Sequence, residues 1–116
     1  MKNKEVGEMT QKAEESRREW VIVGHGGYGL MYGRIDLSEF QNTTTAKVYD
    51  ARNIRRWYGR KGGITSLAAF GPCGPKVDES RIGAPIPWSL VLDVRAIHKC
   101  TPEAVEAFAA VKSHEE

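Results

Sequence analysis

The chain has 116 residues, 41% of them hydrophobic and 28% charged, and a formal net charge of +2. This length favours one domain with a modest core, and no apolar run reaches the length of a membrane span. The positive charge is local, because residues 50–62 hold five cations and one anion. Such a focused patch favours a small polyanion as partner over a long duplex.

Residues 1–19 are polar and balanced in charge, and they predict a charged N-terminal arm or a marginal helix. Residues 20–116 are predicted to form a single α+β ligand-binding domain. The N-terminus lacks the apolar segment of a signal peptide, so Cys73 and Cys100 are expected to be free thiols of a cytoplasmic protein.

A glycine-rich stretch follows the first predicted strand. The apolar run 20–23 predicts a buried strand, and residues 24–29 read Gly-His-Gly-Gly-Tyr-Gly, which formally matches a dinucleotide-binding motif. That motif needs a helix after the glycines, whereas residues 30–37 are typical of a second strand. A hairpin connection is therefore favoured and no cofactor is expected, although Tyr28 could reach over a ligand from this loop.

The remaining elements predict an α+β architecture. Residues 45–49 and 51–58 are extended, and a short helix begins near residue 64, capped by Thr65 or Ser66 and ended by Gly71. A proline-containing surface loop leads to a long strand at 88–98, whose apolar start predicts a central position. Thr101 and Pro102 begin the last helix. We expect four or five mostly antiparallel strands, a short mid-chain helix and a C-terminal helix.

The segment between residues 50 and 66 combines cations, aromatic rings and a Gly-Gly turn before a helix. Guanidinium groups suit phosphates, rings and guanidinium planes stack on bases, and a helix start offers N–H donors. The predicted ligand-binding residues are Arg52, Arg55, Arg56, Trp57, Tyr58, Arg60, Lys61, Gly63, Thr65 and Tyr28. The alternative is a solvated strand edge, where cations prevent edge pairing.

Trp88 is a further candidate stacking platform, but core packing is the favoured interpretation for Trp88 and for Trp20. Catalysis has little support. The three histidines are scattered, no metal-ligand spacing appears, and no serine has the context of a nucleophile elbow. We therefore expect a non-catalytic protein without a metal.

Residues 47–111 resemble a group of small bacteriophage proteins. The shared features are an Ala-Arg-x-Ile-x-x-Trp segment at 51–57, a short helix at 64–71 and a Cys-Thr-x-x-Ala start of the last helix at 100–104. The chain departs from the pattern at Ile64, in the doubled Arg55-Arg56 and in its longer N-terminal arm.

The chain also resembles the oligomeric anti-CBASS sponges that phages encode. This resemblance implies a protein of the host cell cytoplasm that binds a cyclic (di)nucleotide immune signal such as cGAMP and keeps it from its effector. It implies a homo-oligomer, a dimer or tetramer, with no membrane association. The alternatives are a nucleic-acid-binding accessory phage protein and a phosphodiesterase for the same signals.

Overall fold

The structure, a computed structural model, describes residues 15–26, 29–40 and 43–114. Its strands are β1 (Arg18–His25), β2 (Gly29–Asp36), β3 (Ala46–Arg56), β4 (Arg81–Ile82), β5 (Ile86–Val91) and β6 (Val94–Lys99), and its helices are α1 (Ile64–Phe70) and α2 (Pro102–Ala110). All strand pairings are antiparallel, which confirms the predicted α+β class. The predicted arm lies mostly outside the described residues, and β1 already includes its last two.

The sheet is rolled rather than flat. Its main path runs β4-β3-β2-β1-β6, and β5 pairs with the other half of the β3 edge that β4 uses. In a flat sheet β5 and β6 would lie about 19 Å apart. However, only two residues separate Val91 from Val94, and three chain steps reach at most about 11 Å. The two edges therefore curl towards each other, and the Val94 N–H donates to the Thr44 carbonyl oxygen at 2.8 Å.

Strand β3 merges the two extended segments that the sequence predicts separately. A bulge joins them, because Tyr32 of β2 pairs with Arg52 while Arg34 pairs with Tyr49. The extra residue, Asp50, has a φ of 53° and forms an ion pair with Arg34. On β2 the bulge faces Gly33, where an added Cβ would lie 2.7 Å from the Tyr49 carbonyl oxygen.

Alternation along the strands divides the apolar residues between two cores. The inner core lies on one face of the rolled sheet and contains Val21, Val23, Ile35, Ala46, Val48, Ala51 and Val91. The helix-side core lies on the other face, where α1 and α2 pack, and contains Ile22, Tyr32, Ile54, Leu67, Ala68, Ile82, Cys100, Ala104 and Phe108. Strand β1 contributes to both cores, because Val21 and Val23 lie in the inner core and Ile22 between them lies in the helix-side core.

The predicted central strand at 88–98 is wrong. The structure divides it at Leu92-Asp93, where Asp93 has a φ of 53°, into two strands that lie at opposite edges of the sheet. Trp88 is 53% exposed, so its predicted core packing is also wrong. An apolar run indicates burial only where another layer covers it, and this part of β5 has no such cover among the described residues.

The two helices begin differently. In α1 the N-cap is Gly63, without a side-chain cap, so the predicted capping by Thr65 or Ser66 is wrong. Their hydroxyls instead donate to the carbonyls of the preceding turn at 3.2 and 2.9 Å. In α2 the prediction is confirmed, because the Thr101 hydroxyl accepts the Ala104 N–H at 3.1 Å and Pro102 occupies the first turn.

Candidate ligand site

A surface cavity of about 580 Å³ lies beside the β1–β2 hairpin. Three parts of the fold form it: the hairpin, the residue that follows β3, and β6. The described residues that line it are Gly24, His25, Gly26, Gly29, Leu30, Trp57 and Arg95. Its volume falls within the usual range for small-molecule sites, about 300–1,000 Å³. We call it the hairpin cavity.

Close approach of side chains explains two of the hairpin glycines. A Cβ on Gly29 would lie 2.1 Å from the His25 imidazole, and a Cβ on Gly26 would lie 1.9 Å from the Asp93 carboxylate. The Gly26 N–H also donates to the Asp93 carbonyl oxygen at 2.9 Å, which ties the hairpin to the β5–β6 connection. The glycines thus serve a tight antiparallel hairpin, with His25 opposite Gly29, and not a dinucleotide-binding turn.

The His25 ring has a defined orientation in the cavity wall. Its Nδ1 lies 3.2 Å from the Gly26 carbonyl oxygen, and because a carbonyl oxygen only accepts, Nδ1 carries the proton in this contact. In the neutral ring Nε2 is then the acceptor atom. His25 can therefore accept a hydrogen bond from a ligand, or donate one if the ring is protonated.

Trp57 and Arg95 supply the flat surface and the positive charge of the cavity. Trp57 is half-buried and packs against the helix-side core, which fixes the indole in place. The side chain of Arg95 is 71% exposed and pairs with Asp93 at 3.3 Å. Exposed pairs of this kind contribute little to stability, so the guanidinium can turn to an anion at low cost.

Arg52, predicted to contact phosphate, lies elsewhere and has a structural role. It is only 7% exposed, and its guanidinium donates to the carbonyl oxygens of Gly83 at 2.7 Å, Phe108 at 2.7 Å and Val111 at 3.2 Å. These bonds hold the end of α2 to the sheet. Burial lowers the pKa of Arg52, and its donors are directed at the protein itself, so we remove it from the ligand site.

The other predicted cations do not line the hairpin cavity. Arg56 donates to the Tyr58 hydroxyl, and the Tyr58 backbone is bonded to Ser80 and Cys73. Arg60 lies 4.3 Å from the Phe70 ring centroid. Further exposed members of the predicted set are Arg55, Lys61, Gly63 and Thr65, and a ligand contact at any of them stays a prediction.

Of the predicted residues that the structure describes, Trp57 alone is thus placed in the hairpin cavity. Tyr28 lies outside the described residues. His25 and Arg95 were not predicted, because the sequence does not show that β6 pairs with β1 beside the hairpin. The sequence feature that could have indicated His25 is the glycine-rich loop, because His25 is next to its turn.

The family comparison covers the whole of this framework. A model of a domain of unknown function, DUF6948, matches residues 18–108, from the first residue of β1 to the buried Phe108 of α2. The chain belongs to the DUF6948 family. No curated protein and no solved structure matches the sequence of this DUF6948 protein significantly.

The ionisable groups of the DUF6948 core do not form a reactive cluster among the described residues. No group of three or more His, Cys, Asp or Glu side chains could hold a metal ion in that part of the chain. Both cysteines are free, and burial raises the pKa of Cys100 to about 12, so this thiol stays protonated and unreactive at neutral pH. None of the described helices is long and apolar enough to cross a membrane.

Proposed function

We propose that this DUF6948 protein is a non-catalytic binding protein for a small anionic ligand that carries a flat ring. The observation that supports this proposal is the meeting of Trp57, His25 and Arg95 in one cavity. A fixed indole offers a stacking surface, and a guanidinium offers paired donors to phosphate. Glycine backbone forms much of the remaining wall, which leaves room for a ligand to approach closely.

The ligand that we propose first is a cyclic (di)nucleotide immune signal such as cGAMP. Its bases suit the indole, and its phosphodiester groups suit Arg95. By binding the signal without cleaving it, the protein would act as a phage sponge against CBASS-type defence in the host cell cytoplasm. The resemblance to phage sponges supports this choice of ligand, and the cavity supports the chemical class.

Binding is favoured over cleavage because of the groups around the cavity. Among the described lining residues, His25 is the one whose side chain can both accept and donate a proton. General acid–base cleavage of a phosphodiester commonly needs a second group that accepts or donates a proton. The Arg95 guanidinium donates hydrogen bonds but has no acceptor atom, so its role is to stabilise negative charge.

A second candidate function, binding to nucleic acid, is favoured by one observation. Arg56 of β3 pairs directly with Arg81 of β4, and both are exposed. Like charges in facing positions of two strands repel each other, and a polyanion would relieve this repulsion. Neither arginine is among the residues that line the hairpin cavity, so single substitutions distinguish the two functions.

The decisive experiment measures binding of cGAMP and of a short single-stranded DNA by calorimetry and thermal shift. We expect cGAMP to raise the melting temperature and Arg95→Ala to weaken cGAMP binding by about tenfold or more, the cost of losing a charge-assisted hydrogen bond. Arg56→Ala is the matched control and should leave cGAMP binding unchanged. The reverse pattern, with DNA bound and only Arg56→Ala affected, would replace the first proposal by the second.

Recovery of the ligand tests the non-catalytic part of the proposal. The protein is incubated with cGAMP, denatured by heat, and the released material is separated by chromatography. We expect intact cGAMP in an amount equal to that bound. Linear or mononucleotide products would show that the protein is a phosphodiesterase.

A further inference from the structure

One face of β5, together with Leu92 just beyond the end of the strand, presents an apolar stripe to solvent. Ile86, Trp88, Leu90 and Leu92 are 50%, 53%, 55% and 63% exposed, and they alternate with inward residues such as the buried Val91. Residues two apart on a strand lie about 6.6 Å from each other, so the stripe is about 20 Å long. We call it the β5 stripe.

The β5 stripe is as large as the largest apolar patch of a typical monomeric protein. Each half-exposed side chain of this size leaves roughly 100 Å² accessible, so the four together leave on the order of 400 Å². Monomeric proteins have largest apolar patches of about 300–600 Å², and such patches often mark interaction sites. The helix-side core includes none of these four residues, so α1 and α2 leave the stripe uncovered.

We propose that the β5 stripe is the interface of a two-fold symmetric homodimer in which two copies pack face to face. The strand from Ile86 to Val91 carries no charged residue, and a partner with the same apolar surface complements it. Two stripes in contact would bury about 800 Å² of apolar surface, and the residues around them would bring the interface to the roughly 1,000 Å² expected of a stable complex. A two-fold axis uses the same patch on both copies and closes the assembly at two.

Packing between faces explains the exposure better than pairing between edges. If two β5 strands paired edge to edge, their side chains would still point to solvent on the same face. Pro87 also interrupts the row of N–H donors that edge pairing uses. Only a second layer, packed as in a β-sandwich, removes these side chains from water.

The cations beside the stripe favour a second copy over a nucleic acid. Lys47 faces Leu90 across the strands, and its ammonium nitrogen lies 4.7 Å from the Trp88 ring centroid and 5.1 Å from that of Tyr49. The Arg18 guanidinium lies 3.5 Å from the Tyr49 ring centroid. A cation of the same chain lies over each ring, and Ile86, Leu90 and Leu92 offer no stacking surface to bases, so the stripe suits an apolar partner better than a nucleic acid.

Leu90→Glu tests the interface with little risk to the fold. In the monomer the new carboxylate faces Lys47, and opposite charges in facing strand positions are favourable. In the dimer it would be buried near its own symmetry copy. We expect the wild type to have twice the chain mass of 12.9 kDa in sedimentation and light-scattering measurements at micromolar concentrations. Leu90→Glu should weaken the dimer about 100-fold or more, because dimer formation would remove both new carboxylates and the facing Lys47 ammonium groups from water.

Two further variants make the outcome unambiguous. Asn53→Glu adds the same charge at an exposed position of β3 and should remain a dimer. Leu92→Glu lies just beyond the end of β5 and should be monomeric even if Leu90→Glu does not fold. A wild type that stays at 12.9 kDa would overturn the proposal, whatever else binds the stripe. So would a dimer that persists in both glutamate variants of the stripe.

Discussion

Strands β1 and β5 contain similar apolar runs but have opposite environments. Val21, Ile22 and Val23 of β1 are fully buried, whereas three of the six residues of β5 are large, apolar and at least half exposed. The difference comes from position. Strand β1 has a neighbour on each edge and α2 over one face, while β5 pairs only with β3 among the described strands. The residues of a strand therefore show that its surface is apolar, but they do not show which element covers that surface.

The largest expected effect on stability is the difference between a substitution in β1 and a substitution in β5. Ile22→Ala removes buried methyl groups from the helix-side core and should lower the free energy of unfolding by about 2–5 kcal/mol. Leu90→Ala at the exposed face should change it by about 0.5 kcal/mol or less. Urea unfolding followed by circular dichroism, at protein concentrations low enough to keep the chain monomeric, measures both. Equal losses would mean that β5 is as deeply packed as β1.

A second pair of substitutions compares the buried and exposed ends of β3. Arg52→Met leaves the carbonyl oxygens of Gly83, Phe108 and Val111 without these donors, and we expect a loss of about 2–3 kcal/mol in unfolding free energy. Arg56→Met, at the exposed end of the same strand, should stay within about 0.5 kcal/mol of the wild type. If Arg56→Met were the more destabilising change, the assignment of Arg52 as the structural arginine would be wrong.

The smallest expected effect is a change in the pH dependence of stability. It involves Asp36, at the end of β2 that faces the start of β1. The side chain of Ser38 hydrogen-bonds the Asp36 carboxylate, and this bond is the largest cause that lowers the pKa of Asp36, with smaller contributions from the Ser38 N–H and Arg17. A lowered folded-state pKa adds stability above the unfolded value, near pH 4, which is lost as the pH falls through the folded value.

Asp36→Asn should therefore lower the free energy of unfolding at pH 7. At pH 3 the free energies of unfolding of the variant and the wild type should differ less. Urea midpoints at the two pH values measure this change. Ser38→Ala, which removes one partner but keeps the carboxylate, should reproduce part of the effect. A constant difference between wild type and Asp36→Asn across this range would contradict the assigned cause.

Local signals in the sequence predicted much of the fold. The hairpin at residues 24–29, the cap at Thr101 and the end of α1 at Gly71 each depend on residues close in the chain, and all three are confirmed. The position of β5 and β6 was not predictable in this way. It depends on the pairing of β5 with β3, whose partner residues are 35 to 45 positions apart, and of β6 with β1, whose partners are 69 to 78 positions apart.

The candidate site shows the same division between local and distant information. Trp57 and the glycine loop were identifiable by residue type. Arg95 lines the cavity because the sheet pairs β6 with β1. Arg52 does not line it, because its side chain is on the face of the sheet that α2 covers. Charge in a sequence segment indicates neither the direction of a side chain nor its partners.

The rolled sheet also has a consequence for how the chain is made. The first three strands form an antiparallel meander that can assemble as they leave the ribosome. The other edge of β1 stays unpaired until β6, some 70 residues later, has been synthesised. Such distant pairings slow folding, since a long loop must be ordered before its contacts form. A nascent chain that has not yet reached residue 94 therefore exposes a bare strand edge, and protection of that edge depends on the last quarter of the polypeptide.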